Sequence, residues 1–526
     1  MANRTEFPQK ERGFQGHQVV QSPSNQCLAD IAKDLKFDLN DDELKEYQEV
    51  IASYCETTFQ RLYHLPEPKL PVKYPRMIGK QPSAEENPFN AWYWKCDISG
   101  APEGKLLGKT IAMKDNIPVA GIPMMNGSQL LEGYIPDIDA TVVTRVLDEG
   151  GRILGKAVCE NMCHSGGSFT AANGLVRNPI DPSRMSGGSS SGCAVLVANK
   201  DVDMAIGGDQ GGSIRMPAAA CGIVGLKPTF GLVPYTGIIP TDPTIDHTGP
   251  MARTVSDTAL LLEAIAGYDG GLDHRQPSDI KTPCYTKELT GDIKGMHVGL
   301  LKEGFDTTLE ADVNSLVRTS ALRLTERGAI IEEVSIPWHL NAKDLHFGIC
   351  MPRAFMALLE GECSATQGYH NTHLQVAISR GRQCHANDFP PNSKRTLLFN
   401  RYLRDNNYDG YYYTKCQNLR RDLRQAYDDA FKKYDVLIMP TIPKTASEFP
   451  SKNPSLSEYL KKAYEMNVNT ASFNLTGHPS LSINAGFAHG LPVGMMITGK
   501  MFDEKTVLNV AYAFEQLREG RRAESD

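Results

Sequence analysis

Two glycine-rich loops carry serines in settings suited to attack on an electrophilic carbon. The first reads Ser186-Gly187-Gly188-Ser189-Ser190-Ser191-Gly192, the second Gly207-Gly208-Asp209-Gln210-Gly211-Gly212-Ser213-Ile214-Arg215. Glycine at this density lets the backbone take positive φ and lets a ligand approach its N–H groups. A serine hydroxyl is a weak nucleophile until a base takes its proton. His164, His247 and His478 stand in no matching constellation and read as ordinary polar residues. A lysine is an alternative base, and Lys114 ends the apolar run Ile111-Ala112-Met113. A lysine works as a base only when neutral, and burial disfavours the ammonium.

Other readings of these loops fit less well. Gly188-Ser189-Ser190-Ser191-Gly192 satisfies Gly-x-Ser-x-Gly, but a nucleophile elbow follows a buried strand directly. Here the motif follows the turn-rich Asn178-Pro179-Ile180-Asp181-Pro182-Ser183-Arg184. A phosphate cradle requires a Gly-Lys-Ser/Thr ending or a G-x-G-x-x-G fingerprint, and neither is present. Taken singly, either stretch also reads as a plain loop of a tight α/β core. Asp209 and Arg215 flank Ser213 with opposite charge and read as an ion pair bracing the loop, and Ser190 as a supporting hydrogen bonder. Cys159 and Cys163 are too few for a zinc site and read as buried thiols that line a pocket. The reading calls for no metal and no cofactor.

The elements that must position these groups alternate short apolar strands with helices, the pattern of an α/β fold. Strands are expected at 110–113, 152–154, 203–206 and 436–439. Helices are expected at 139–149, with Val142, Val143, Val146 and Leu147 inward, and at 192–198. Leu419, Leu423, Ala426, Tyr427, Ala430 and Phe431 mark one face of another helix. Residues 1–26 read as a flexible polar tail. Asn40-Asp41-Asp42 caps a helix carrying Leu44, Tyr47, Val50, Ile51 and Tyr54, and Pro66, Pro68, Pro71 and Pro75 form a linker. The expected division is a helical N-terminal domain with linker at 27–85, a main domain at 86–518 and a tail at 519–526. The less regular stretch 341–413, with Tyr411-Tyr412-Tyr413 and several prolines, reads as an insertion forming a lid or pocket wall.

Composition narrows the class. The 526 residues are 41% hydrophobic and 22% charged, with a net charge of −7, which argues against a nucleic-acid partner. No stretch is long and apolar enough for a membrane span, and residues 1–26 lack the apolar core of a secretory signal. The 12 cysteines, scattered from Cys27 to Cys416, show no paired framework. A reducing, cytoplasmic setting is expected.

Three pieces in order resemble the amidase signature family. Lys114 lies in Ile111-Ala112-Met113-Lys114-Asp115-Asn116, Ser189 follows a double glycine, and Ser213 sits in Gly-Gly-Ser-Ile-Arg, at intervals of 75 and 24 residues. Asn178-Pro179, the run Cys221 to Thr229, and Asp435 with Pro440-Thr441 agree as well, so the resemblance spans roughly 85–515. Within the family the chain looks most like amidases that work beside nitrile-degrading enzymes. It shares their N-terminal helical extension, Gly-Gly-Asp-Gln-Gly-Gly-Ser, and Cys159-Glu160-x-x-Cys163-x-Ser165-Gly166-Gly167. Gly208 and Gln210 stand where threonine is frequent, and Ser191 replaces a glycine; these departures bear on substrate preference.

The resemblance implies an α/β/α sandwich around one large mixed β-sheet, with a small N-terminal helical domain that can mediate a homodimer. It implies Ser213 as nucleophile, Ser189 with a cis peptide bond as relay, and Lys114 as base. The backbone N–H groups of Gln210, Gly211, Gly212 and Ser213 would form the oxyanion hole. The substrate would be a small linear carboxamide, aliphatic or aromatic, hydrolysed to carboxylate and ammonia. Two other functions share the scaffold: the amidase component of a transfer-RNA-dependent amidotransferase, and a non-catalytic binding protein. The helical extension and the Gln210 variant favour the free-standing hydrolase over the first, and the intact catalytic positions speak against the second.

Overall fold

Lys114 ends one strand and the second serine loop begins at the end of its neighbour in one twelve-stranded mixed sheet, with helices on its two sides. The computed structural model describes residues 19–350 and 366–525. Its strands are β1 Met77–Lys80, β2 Trp92–Ser99, β3 Thr110–Lys114, β4 Arg152–Ala157, β5 Met204–Asp209 and β6 Val224–Lys227. They continue with β7 His247–Ala252, β8 His297–Leu301, β9 Ile330–Val334, β10 Val436–Pro440, β11 Ser480–Ala488 and β12 Leu491–Gly499. Their order in space is β1-β2-β4-β3-β5-β7-β6-β11-β12-β10-β8-β9. β3 runs parallel to both neighbours, with Met113 opposite Lys156 on β4 and Ile206 on β5. The C-terminal ends of β3 and β5 therefore open on the same side, which is where α/β sheets place their sites.

Burial explains why these strands read as unbroken apolar runs. Ile111, Ala112 and Met113 of β3 and Met204, Ala205 and Ile206 of β5 are fully buried, as expected of strands covered on both faces. The helix Ser191–Ala198 has Cys193, Ala194, Val195 and Val197 buried together and packs in the cluster containing Ala112 and Ala205. An all-round apolar helix belongs inside. The strands at 152–154 and 203–206 extend further than expected, to Ala157 and Asp209, because their ends carry lysine and glycine rather than aliphatic residues.

The stretch at 341–413 is more regular than expected. It contains the helices Ala342–Ile349, Thr372–His385 and Pro391–Asp405 and the start of Asp409–Ala430, while 351–365 lie outside the described residues. Pro391 is the first residue of its helix, where a missing N–H costs nothing, so it starts the helix rather than breaking one. Tyr411 and Tyr412 are exposed, and Tyr413 packs partly against the core.

The chain divides into two compact units between Lys69 and Leu70. The first holds the helices Asn25–Asp34, Asp41–Tyr54 and Gln60–His64, the last two joined through the π-helical turn Cys55–Phe59. Asn40 starts its helix with a reciprocal cap. Its side chain accepts from the amides of Asp42 and Glu43 at 3.0 Å, and Glu43 accepts from the Asn40 amide at 2.8 Å. The boundary falls earlier than the expected 85, since β1 already pairs with β2 in the large sheet. Of the expected tail at 1–26, residues 1–18 lie outside the described residues, and Asn25 and Gln26 are helical. The expected tail from 519 instead continues the helix Glu504–Ser525. Among the described residues, no helix is long and apolar enough to cross a membrane.

Candidate active site

Lys114, the last residue of β3, is fully buried. Its Nζ lies 2.7 Å from Ser189 Oγ and 3.0 Å from the carbonyl oxygen of Gly208 on β5. The amine thus meets a hydroxyl and a carbonyl rather than a carboxylate. The Gly188–Ser189 peptide is cis, as the resemblance implied. Ser190 sits beside it, donating to the Gly208 carbonyl at 3.1 Å and accepting from the Gly208 amide at 3.3 Å, in the supporting place expected of it. Ser190 N–H also donates to the carbonyl of Ser213 at 3.2 Å, which ties the two serine loops together. The hydroxyls of Ser189 and Ser213 are not hydrogen-bonded to each other; Ser213 instead lines a cavity.

The loop from Asp209 to Ser213 is held at each carbonyl. Asn474 Nδ2 donates to the Asp209 carbonyl at 2.8 Å, His346 Nε2 to that of Gln210 at 2.7 Å, and Thr470 Oγ1 to that of Gly211 at 2.7 Å. A carbonyl only accepts, so His346 carries its proton on Nε2. Burial holds this imidazole below its ordinary range, hence neutral. Asp209 and Arg215 form the expected ion pair, fully buried and two-pronged at 3.0 and 3.1 Å. Burial raises the Asp209 carboxyl, but Arg215 and Asn474 outweigh it and hold the group well below the usual carboxylate range. Gly212, at φ +128°, leaves no room for a side chain, since a Cβ there would lie 2.2 Å from Thr470 Oγ1.

One expected donor is otherwise engaged. The Gly212 amide donates to the Asp209 carboxylate at 2.7 Å, because the charged acceptor sits three residues back in the same turn. Among the described residues no side chain accepts from the amides of Gln210, Gly211 or Ser213.

Ser213 opens into a cavity of about 340 Å³. Its wall is largely apolar, with Met216, Phe347, Leu460, Tyr464 and Met466. Lys343 and His346 of the helix Ala342–Ile349 and Arg395 of the helix Pro391–Asp405 also line it, so the 341–413 stretch does form part of the wall, though not through the tyrosine cluster. Cys163 and His164 line it too, whereas Cys159 is fully buried. Sequence reasoning missed His346, Thr470 and Asn474. Each acts on a loop more than 130 residues away, and no local pattern marks them.

Comparison with known proteins agrees with this geometry. A profile of the amidase family matches residues 89–508. The chain is 43% identical over 502 residues to an enantioselective amidase of Rhodococcus rhodochrous, covering 94% of this chain and 95% of that one. It is 38% identical over 419 residues to a glutamyl-tRNA(Gln) amidotransferase subunit of Methanosarcina mazei, covering 79% and 85%. Its fold resembles that of the peptide amidase PAM, solved with the competitive inhibitor chymostatin, at a TM-score of 0.62 and 28% identity, covering 79% and 84%. The chain belongs to the amidase signature family of amide-hydrolysing enzymes.

Proposed function

We propose that the protein hydrolyses a small linear carboxamide to carboxylate and ammonia through an acyl-enzyme on Ser213. The observation that carries this reading is the 2.7 Å contact between Lys114 Nζ and Ser189 Oγ, next to the cavity that Ser213 lines. The Ser213 hydroxyl is to reach Ser189 as substrate binds, in keeping with catalytic hydrogen bonds that tighten only in the complex. Ser213 Oγ bonds to the carbonyl carbon, and its proton passes through Ser189 Oγ to Lys114 Nζ. The amides of Gln210, Gly211 and Ser213 hold the oxyanion. Collapse breaks the C–N bond while the proton returns through Ser189 to the nitrogen, and ammonia leaves. Water then attacks the ester, its proton travelling the same relay to Lys114 and back to Ser213. No step uses a metal or cofactor.

The apolar wall and the size of the cavity suit a small aliphatic or aromatic acyl group. The free-standing hydrolase is preferred to an amidotransferase component because the Rhodococcus amidase matches 94% of the chain and the Methanosarcina protein 79%. A cytoplasmic setting fits the described cysteines, all of which are unpaired.

The test is ammonia release by the purified single chain across aliphatic, aromatic and amino-acid amides. Ser213→Ala is expected to abolish turnover, Lys114→Ala nearly so, and Ser189→Ala to impair it severely. Hydroxylamine should divert the acyl group to a hydroxamate, and EDTA should leave the rate unchanged. Near-normal turnover by Ser213→Ala would remove the nucleophile assignment, and activity only in the presence of a partner chain would favour the amidotransferase.

A further inference from the structure

Gln210 lines the cavity beside Ser213 and is 5% exposed. Its side-chain amide is held by the Tyr235 hydroxyl, 2.9 Å from Gln210 Nε2. The chemistry of that hydroxyl fixes which end of the amide faces it. Tyr235 has one proton, and it donates that proton to the Ile239 carbonyl at 3.2 Å, an oxygen that can only accept. The tyrosine oxygen can therefore only accept from Gln210, so the NH₂ group faces it and Oε1 points elsewhere. That oxygen is buried and has no hydrogen-bond partner. Asn116 repeats the arrangement. It is 1% exposed, its Nδ2 lies 3.5 Å from the same tyrosine oxygen, and its Oδ1 is likewise buried without a partner. A methyl group placed on Gly208 would lie 3.3 Å from Asn116 Nδ2 and 3.6 Å from Lys114 Nζ, so both side chains approach the same glycine.

Buried carbonyl oxygens left unmatched are costly, and proteins keep few of them. Here two occur on side-chain amides that share one tyrosine, Gln210 of the cavity wall and Asn116, two residues along the chain from Lys114. Both are acceptors, so the missing group is a donor. A primary carboxamide brings two N–H bonds to the point where its nitrogen must meet the relay proton, and the ester of the same acid brings none.

We propose that Gln210 Oε1 receives an N–H group of the scissile carboxamide, so that the site selects an amide nitrogen over an ester oxygen. The proposal rests on Ser213 as the nucleophile. Holding that N–H bond turns the nitrogen lone pair, as it forms in the tetrahedral intermediate, toward Ser189 and the returning proton. Gln210 is then a specificity residue that touches substrate, and Tyr235 a positioning residue that orients it.

The experiment compares kcat/KM for benzamide and methyl benzoate in the full chain. Gln210→Leu is expected to lower the amide value about 10- to 100-fold, the loss typical of one missing hydrogen bond to a buried group, and to leave the ester value nearly unchanged. Tyr235→Phe removes the anchor without touching substrate and should reduce the amide-to-ester ratio in the same direction, which keeps the test open should the leucine variant fail to fold. Equal losses on both substrates would assign Gln210 to loop shape alone. Unchanged values on both would mean that water satisfies the oxygen. Either result overturns the proposal. Ser213→Ala separates this from the underlying reading: loss of both activities is required by the nucleophile assignment, whatever Gln210→Leu does to their ratio.

Discussion

Cys163 has surroundings that its neighbour in sequence lacks. Cys159 and Cys163 both donate to Asn126 Oδ1, at 3.3 and 3.2 Å. Burial pushes the Cys159 thiol well above its ordinary value. At Cys163 burial acts in the same direction but is outweighed by the neighbouring Cys159, Lys114 and Ser189, which bring that thiol down to about 7. The thiolate is the nucleophile, so its reaction with an electrophile accelerates as pH rises through the thiol's own pKa. Iodoacetamide should therefore inactivate the enzyme at a rate that climbs through about pH 7, rather than near the ~8.5 typical of a free thiol. Mass spectrometry should place the adduct on Cys163 and not Cys159, and an amide substrate should slow the labelling. A rate that rises only near pH 9, or label on Cys159, would contradict this picture of the site. The sequence marks Cys163 only as one of two cysteines four apart. What sets its chemistry is the company of Cys159, Lys114 and Ser189 together, and that proximity exists only in the fold.

At the scale of elements, the loop from Asp209 to Ser213 depends on supports from remote helices. Gly211 shows how tightly they fit. A Cβ there would lie 2.8 Å from His346 Nε2, the atom that donates to the Gln210 carbonyl. Gly211→Ala must displace the imidazole or tilt the Gln210–Gly211 peptide, and that peptide carries a proposed oxyanion donor. The expected result is a fall in kcat of about 10²-fold or more, the scale of losing one such donor, with little change in melting temperature. A large drop in melting temperature with kcat preserved would make the contact structural only. The strands that deliver Lys114 and Asp209 were legible because they are buried on both faces and read as apolar runs. The helices between Ala342 and Asp405 were not, because their exposed faces are polar and Pro391 mimics a break. His346 lies in that stretch, so the main support of the loop stayed hidden while the loop itself was plain. The edge strand β9 was hidden for a related reason: Ile330, Glu332 and Glu333 are exposed, leaving no apolar run to detect.

At the scale of the molecule, the unit ending at Lys69 leaves much apolar surface uncovered by its own helices. Tyr47, Val50 and Tyr54, at i, i+3 and i+7 on the helix Asp41–Tyr54, are 54%, 52% and 56% exposed, and Phe59, Leu62, Tyr63 and Leu65 are exposed beyond them. Such a stripe normally faces a core, and contiguous apolar patches on a surface mark interaction sites. A second copy of the chain would suit it, because a two-fold contact would bury the same stripe on both partners at once. Sedimentation velocity should therefore give twice the chain mass. Tyr47→Glu combined with Tyr54→Glu should give a folded monomer whose turnover per chain is retained, since the proposed catalytic residues all come from the second unit of a single chain. A wild-type monomer at micromolar concentration would remove the dimer. A double variant that still dimerises would move the interface elsewhere, leaving the exposed stripe to some other partner.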